Sequence, residues 1–126
     1  MLEKMEHVKI GDNEYPITFN LNILEKVQEI YGSMVSWQNL LFGEGTKEPS
    51  LKVCIWTFAE MMNEAIDIEN DDKTEKKPML ALKQVGRIIS KLGMVGAIDA
   101  ILKASAAMNE SAEEEDPNES ADPIQP

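Results

Sequence analysis

Residues 51–65, "LKVCIWTFAEMMNEA", carry more apolar surface than a helix resting on one side of a core can hide. Leu51, Cys54, Ile55, Phe58, Met61, Met62 and Ala65 recur at helical spacing, and Val53 and Trp56 widen the stripe. Such a helix belongs in the centre of a fold, so the rest of the chain has to surround it. Pro49 and Ser50 just before it are a helix start signal. With 126 residues the chain has length for one domain and a workable core. The other segments must therefore be the layers around this helix.

The N-terminal segment changes period. "HVKI" and "YPITF" are β-branched and aromatic, and the "GDNE" between them is turn chemistry, which predicts a β-hairpin. Pro16 has no backbone donor and belongs at a strand start or on an edge. An isolated hairpin is marginal in water, so it must pack on helices or pair with another chain. A first helix follows, with Asn20 as N-cap, Leu21, Leu24, Val27 and Tyr31 on its apolar face, and Gly32 as its stop. Ser33 caps a short second helix, "MVSWQNLLF", which ends at Gly43.

After the central helix, "DIENDDKTEKK" reads as a solvated connection. "MLALKQVGRIISKL" then places Leu82, Val85, Ile88, Ile89 and Leu92 at helical spacing. Gly93 and Gly96 mark a break before a fifth helix that runs to about Met108. The predicted fold class is mainly α (α+β): an N-terminal hairpin, four to five packed helices over 1–109, and a disordered acidic tail over 110–126.

Net charge is −11, and the excess is uneven: the seven acidic residues from Glu110 onward have no basic neighbours, which leaves −4 on the body. Nucleic acid and acidic membrane surfaces both select for clustered Lys and Arg, so neither is an expected partner. The single Cys54 excludes an internal disulfide framework and fits a reducing compartment. "MLEKMEHVKI" has no apolar signal-peptide core, and residues 79–102 are interrupted by Lys83, Arg87, Lys91 and Asp99. The expected location is the cytoplasm.

No constellation for chemistry emerges. Asp67, Glu69 and Asp71 fall on the first, third and fifth positions of an EF-hand loop, but Asp72 replaces its glycine and Pro78 its bidentate glutamate. His7 is the only histidine and has no nucleophile beside it in the pattern. Cys54 lies on the apolar stripe, where a small core residue is expected rather than a reactive thiol. "GEG" at 43–45 follows a helix and lacks the lysine of a phosphate loop. No metal, no cofactor and no enzymatic activity are expected.

Surfaces for protein binding are the remaining candidates. Trp56, Met61 and Met62 make a soft apolar face that suits a partner's helix, although core packing explains the same residues. On the short second helix, Met34, Val35, Trp37 and Phe42 are more apolar bulk than one small helix can bury, and Leu41 shares the apolar edge of Trp37; Met34, Trp37, Leu41 and Phe42 are the candidate partner contacts there.

The order of "IGDNEYPITFNLN", "ILEKVQEIYGSMVSWQNLL", "MMNEAIDIEN" and "LKQVGRII" resembles the tail assembly chaperones of long-tailed bacteriophages and prophages of Gram-positive bacteria. The resemblance spans about residues 5–105, and "YPITFNLNILEKVQEIYGS" carries most of it. It implies a small helical protein, absent from the mature virion, that coats the tape-measure protein while tail-tube subunits assemble around it. It also implies a longer frameshifted form that recruits the tail-tube protein. Self-association through the hairpin edge fits the same picture. A different class of function is an acidic regulator that mimics DNA or sequesters a basic partner, which needs carboxylates arrayed on a folded surface.

Overall fold

A computed structural model describes residues 5–45 and 47–115, with side chains through residue 108. The hairpin comes first: β1 (Glu6–Ile10) and β2 (Asn13–Ile17) pair antiparallel, with Ile10 opposite Asn13 and Glu6 opposite Ile17. The connection is therefore only Gly11 and Asp12, shorter than the four residues expected. Gly11 has φ +61° and, among the described residues, no non-glycine residue has positive φ, the sign pattern of a type II′ turn. With a two-residue loop, Ile10–Asn13, Val8–Tyr15 and Glu6–Ile17 take the hydrogen-bonded positions. Pro16 then falls on the alternate set, where its missing N–H would point away from β1. Thr18 and Phe19 leave the strand, and the Thr18 amide donates to the Met61 carbonyl at 3.3 Å.

Five helices follow: α1 (Leu21–Tyr31), α2 (Met34–Phe42), α3 (Leu51–Asn70), α4 (Leu82–Leu92) and α5 (Met94–Glu115). The central position of α3 is as expected. Phe58, Met61, Met62 and Ala65 are fully enclosed, with the hairpin, α2, α4 and α5 packed around them. One continuous core joins Val8, Ile17 and Phe19 of the hairpin segment to Val27, Trp37, Leu41, Val85, Ile89 and Ile101 of the helices.

Several boundaries and faces differ from the sequence reading. Helix α3 continues to Asn70, so Asp67 and Glu69 are helical and the EF-hand spacing has no loop to act in. Helix α4 starts at Leu82, and Leu82 itself is exposed while Val85, Ile88 and Ile89 face inward. On α1 the buried residues are Ile23 and Val27, whereas Leu21 is 73% exposed. The rotation follows from the N-cap: Asn20 Oδ1 accepts from the Asn22 and Ile23 amides while its Nδ2 donates to Glu64 of α3 at 2.8 Å. Helix α5 runs through Glu115, so residues 110–115 of the expected tail are helical. Alanine and glutamate dominate there, with no helix breaker before Pro117. The rest of that expected tail, 116–126, lies outside the described residues.

Candidate protein-binding surfaces

Four of the seven residues singled out for partner binding belong to the core. Trp37 is 2% exposed, and Leu41, Met61 and Met62 are fully enclosed. The expectation that they form a surface is corrected accordingly: on α2, Trp37 and Leu41 are absorbed into the core against α3 and Phe19. The indole of Trp37 packs on the Phe19 ring at 5.7 Å, and its Nε1–H donates to Thr57 Oγ1 at 2.9 Å. That bond satisfies the single polar atom that burial of the indole would otherwise leave unpaired.

The other three reach the surface. Met34 and Trp56 are half-buried and Phe42 is exposed. Trp56 stands edge-on to Tyr31 at 5.4 Å, and burial pushes the Tyr31 phenol up from its ordinary pKa. Around the α2–α3 junction further apolar side chains project outward. Val35 is 64% exposed and lies seven residues before Phe42 on the outward face of α2. Leu40 is exposed on a different side of α2, and its carbonyl accepts from the Ser50 amide at 2.8 Å, which brings Leu51, also exposed, alongside. The loop between them is tight. Gly43 has φ +82°, and a Cβ there would lie 2.6 Å from the Lys47 carbonyl oxygen. Val35 is part of the apolar excess that the sequence shows on the second helix, whereas Leu40 and Leu51 match apolar periods yet turn outward, because periodicity gives a stripe but not its rotation.

A second feature lies further along α3. Between α3 and α4, residues 71–79 are all exposed, yet the segment is held. Asn63 Oδ1 accepts from the Leu80 amide at 2.7 Å while its Nδ2 donates to the Leu80 carbonyl at 3.0 Å. Asn70 makes the same pair with Lys77, both bonds at 2.9 Å. Lys76 Nζ donates to the Asn70 and Lys73 carbonyls at 2.6 and 3.0 Å, placing a cation at the C-terminus of α3. The two asparagines are about two helical turns apart, ~10.5 Å of rise. Lys77 and Leu80 are three extended residues apart, ~10 Å. The match lets one helix face read an extended main chain at two points.

Nearby, Lys26, Glu60, Asn63, Glu64, Asp67 and Met79 line an open depression of about 220 Å³. Its carboxylates are largely engaged within the chain. Glu60 accepts from Lys26 Nζ at 2.7 Å, a bond that raises the Lys26 pKa, and Glu64 accepts from both Asn20 and Asn22 at 2.8 Å. Cys54 is fully enclosed and burial pushes its thiol up to about 11, which leaves a neutral core side chain. His7 is partly exposed, with Nε2 3.8 Å from Glu69 of α3. Among the described residues, no helix is long and apolar enough to cross a membrane. No protein-family model matches the chain, and no curated protein and no solved structure matches it.

Proposed function

We propose that this chain is a phage tail assembly chaperone that binds the tape-measure protein, keeps it soluble in the host cytoplasm, and leaves before the virion is complete. The observation that supports the reading is the exposed apolar bulk of α2 and the start of α3: Val35 and Phe42 share one face of α2, and Leu40 and Leu51 lie either side of the Ser50-to-Leu40 hydrogen bond. Large apolar side chains left exposed on neighbouring elements suit an amphipathic partner helix. The resemblance over residues 5–105 names the partner. Met34 and Trp56 are half-buried and add partial contacts, while Trp37, Leu41, Met61 and Met62 belong to the core beneath.

Recruitment of the tail-tube protein belongs, in this reading, to a longer frameshifted form. Self-association uses the outer edge of β1, where His7 and Lys9 direct their backbone groups away from β2. The corresponding edge of β2 carries Pro16, which cannot donate to a further strand.

Co-expression with the tape-measure protein, followed by size-exclusion chromatography, tests the proposal. The expected result is a soluble complex in which several copies of this chain co-elute with the tape measure. Val35→Lys and Phe42→Lys are expected to abolish co-elution while leaving the free chain folded. A tape-measure protein that precipitates alone beside a well-behaved wild-type chain overturns the reading.

A further inference from the structure

The side-chain polar contacts among described residues are distributed unevenly around α3. On the α1–α2 side they reach α3 directly, through Asn20, Asn22, Lys26 and Trp37. None joins α4 or α5 to α3; those two helices meet it through apolar packing, and both also pack on β1. The polar attachment on that side is made by the segment leading into α4, at Asn63 and Asn70. Apolar packing is non-directional and accepts a substitute of similar shape, whereas paired amide bonds fix a single register.

We propose that α4 and α5 form a cover over α3, hinged on residues 71–76 and latched by Asn63 and Asn70, and that release of the latch frees an apolar face for a partner's amphipathic helix. The occupant is defined by what sits there. Helix α4 presents Val85, Ile88 and Ile89, an i, i+3, i+4 stripe, so an incoming helix with the same stripe replaces it. Residues 71–76 are exposed and have no apolar side chain among them, and the hydrogen bonds of Lys76 Nζ, to the Asn70 and Lys73 carbonyls, join this turn to the end of α3 and not to α4. Leu80, half-buried beside Asn63, ends the latched segment just before α4 begins. The choice of a helical partner rests on the chaperone reading; the cover itself does not.

The test is the full chain carrying Asn63→Ala and Asn70→Ala, followed by amide hydrogen exchange and by binding of a labelled synthetic peptide of residues 81–108. Exchange in α4 and α5 is expected to accelerate about 10- to 100-fold relative to α1–α3, because four main-chain hydrogen bonds are removed from the latch. The peptide is expected to bind the double variant more tightly than the wild type, in which the resident cover competes. Acceleration shared equally by all five helices overturns the proposal, since no separate cover then exists. Acceleration confined to residues 71–80 also overturns it, because the segment is then no latch. A peptide that binds neither protein removes the docking face. If the double variant does not fold, Asn70→Ala alone is read in the same way. No tape-measure protein enters this experiment, so a bound peptide together with a failed co-expression would retain the cover and reject the proposed partner.

Discussion

Two flanks of α3 are built on different principles. On the α1–α2 flank, carboxylates, amides and an indole N–H cross between helices, with Glu64 serving two asparagines and Thr57 serving Trp37. On the α4–α5 flank the interface is apolar, with Val85, Ile89, Ala97, Ile101 and Ala104 buried, and directional bonds appear only in the connecting segment. Directional contacts fix rotation and register, as the inward turn of Ile23 on α1 illustrates. Non-directional packing supplies comparable burial without that constraint.

Trp37→Ala should have the largest effect and should unfold the molecule as a unit. It removes a buried indole and strands Thr57, at a cost of about 3–5 kcal/mol in urea denaturation. Ile89→Ala deletes a buried side chain of α4 and carries a nominal cost of about 2–5 kcal/mol. If the flanks differ as described, hydrogen exchange will locate that loss in α4–α5, while α1 and α2 stay protected. Equal loosening of both flanks would erase the contrast.

Thr57→Val keeps the volume but leaves the Trp37 N–H buried without an acceptor, costing about 1–3 kcal/mol. Alkaline pH should act in the same direction. Burial pushes the Cys54 thiol up from its ordinary pKa to about 11, so the stability it contributes is full below the ordinary thiol range and is lost as pH rises towards 11. Lys26, whose pKa is raised by its bond to Glu60, loses its contribution in the alkaline range too. Denaturation curves at pH 7 and 10 should show the loss, and Cys54→Ala should reduce the difference between them. Smallest of all is Val95→Lys on the outer face of α5. At 83% exposure it should change stability by less than about 0.5 kcal/mol, read as an unaltered urea midpoint.

Much of this architecture was legible from residue patterns. Turn chemistry gave the hairpin, Asn20, Ser33 and Ser50 marked helix starts that are N-caps in the structure, and the apolar breadth of 51–65 identified the central helix. Rotation was not legible. Leu21 and Leu51 match the apolar period as well as Ile23 and Cys54 do, and only cross-helix bonds and neighbouring bulk decide which side faces in. The same ambiguity moved Trp37, Leu41, Met61 and Met62 from a supposed surface into the core. The role of Asn63 and Asn70 was equally hidden, since two asparagines seven residues apart carry meaning only once an extended segment lies beside them. Residues 67–77 read as a loose connection because their composition is polar, and composition does not record attachment through the main chain.

That mode of attachment bears on how the sequence can drift. Asn63 and Asn70 grip backbone atoms of Leu80 and Lys77, so the side chains between them contribute nothing to the grip and are free to be exchanged. Length is a different matter. Two turns of helix fix the span that the extended segment must cover, so inserting or deleting one residue between positions 77 and 80 would put the second asparagine out of register. Variation in this stretch should therefore occur by replacement, with its residue count held constant.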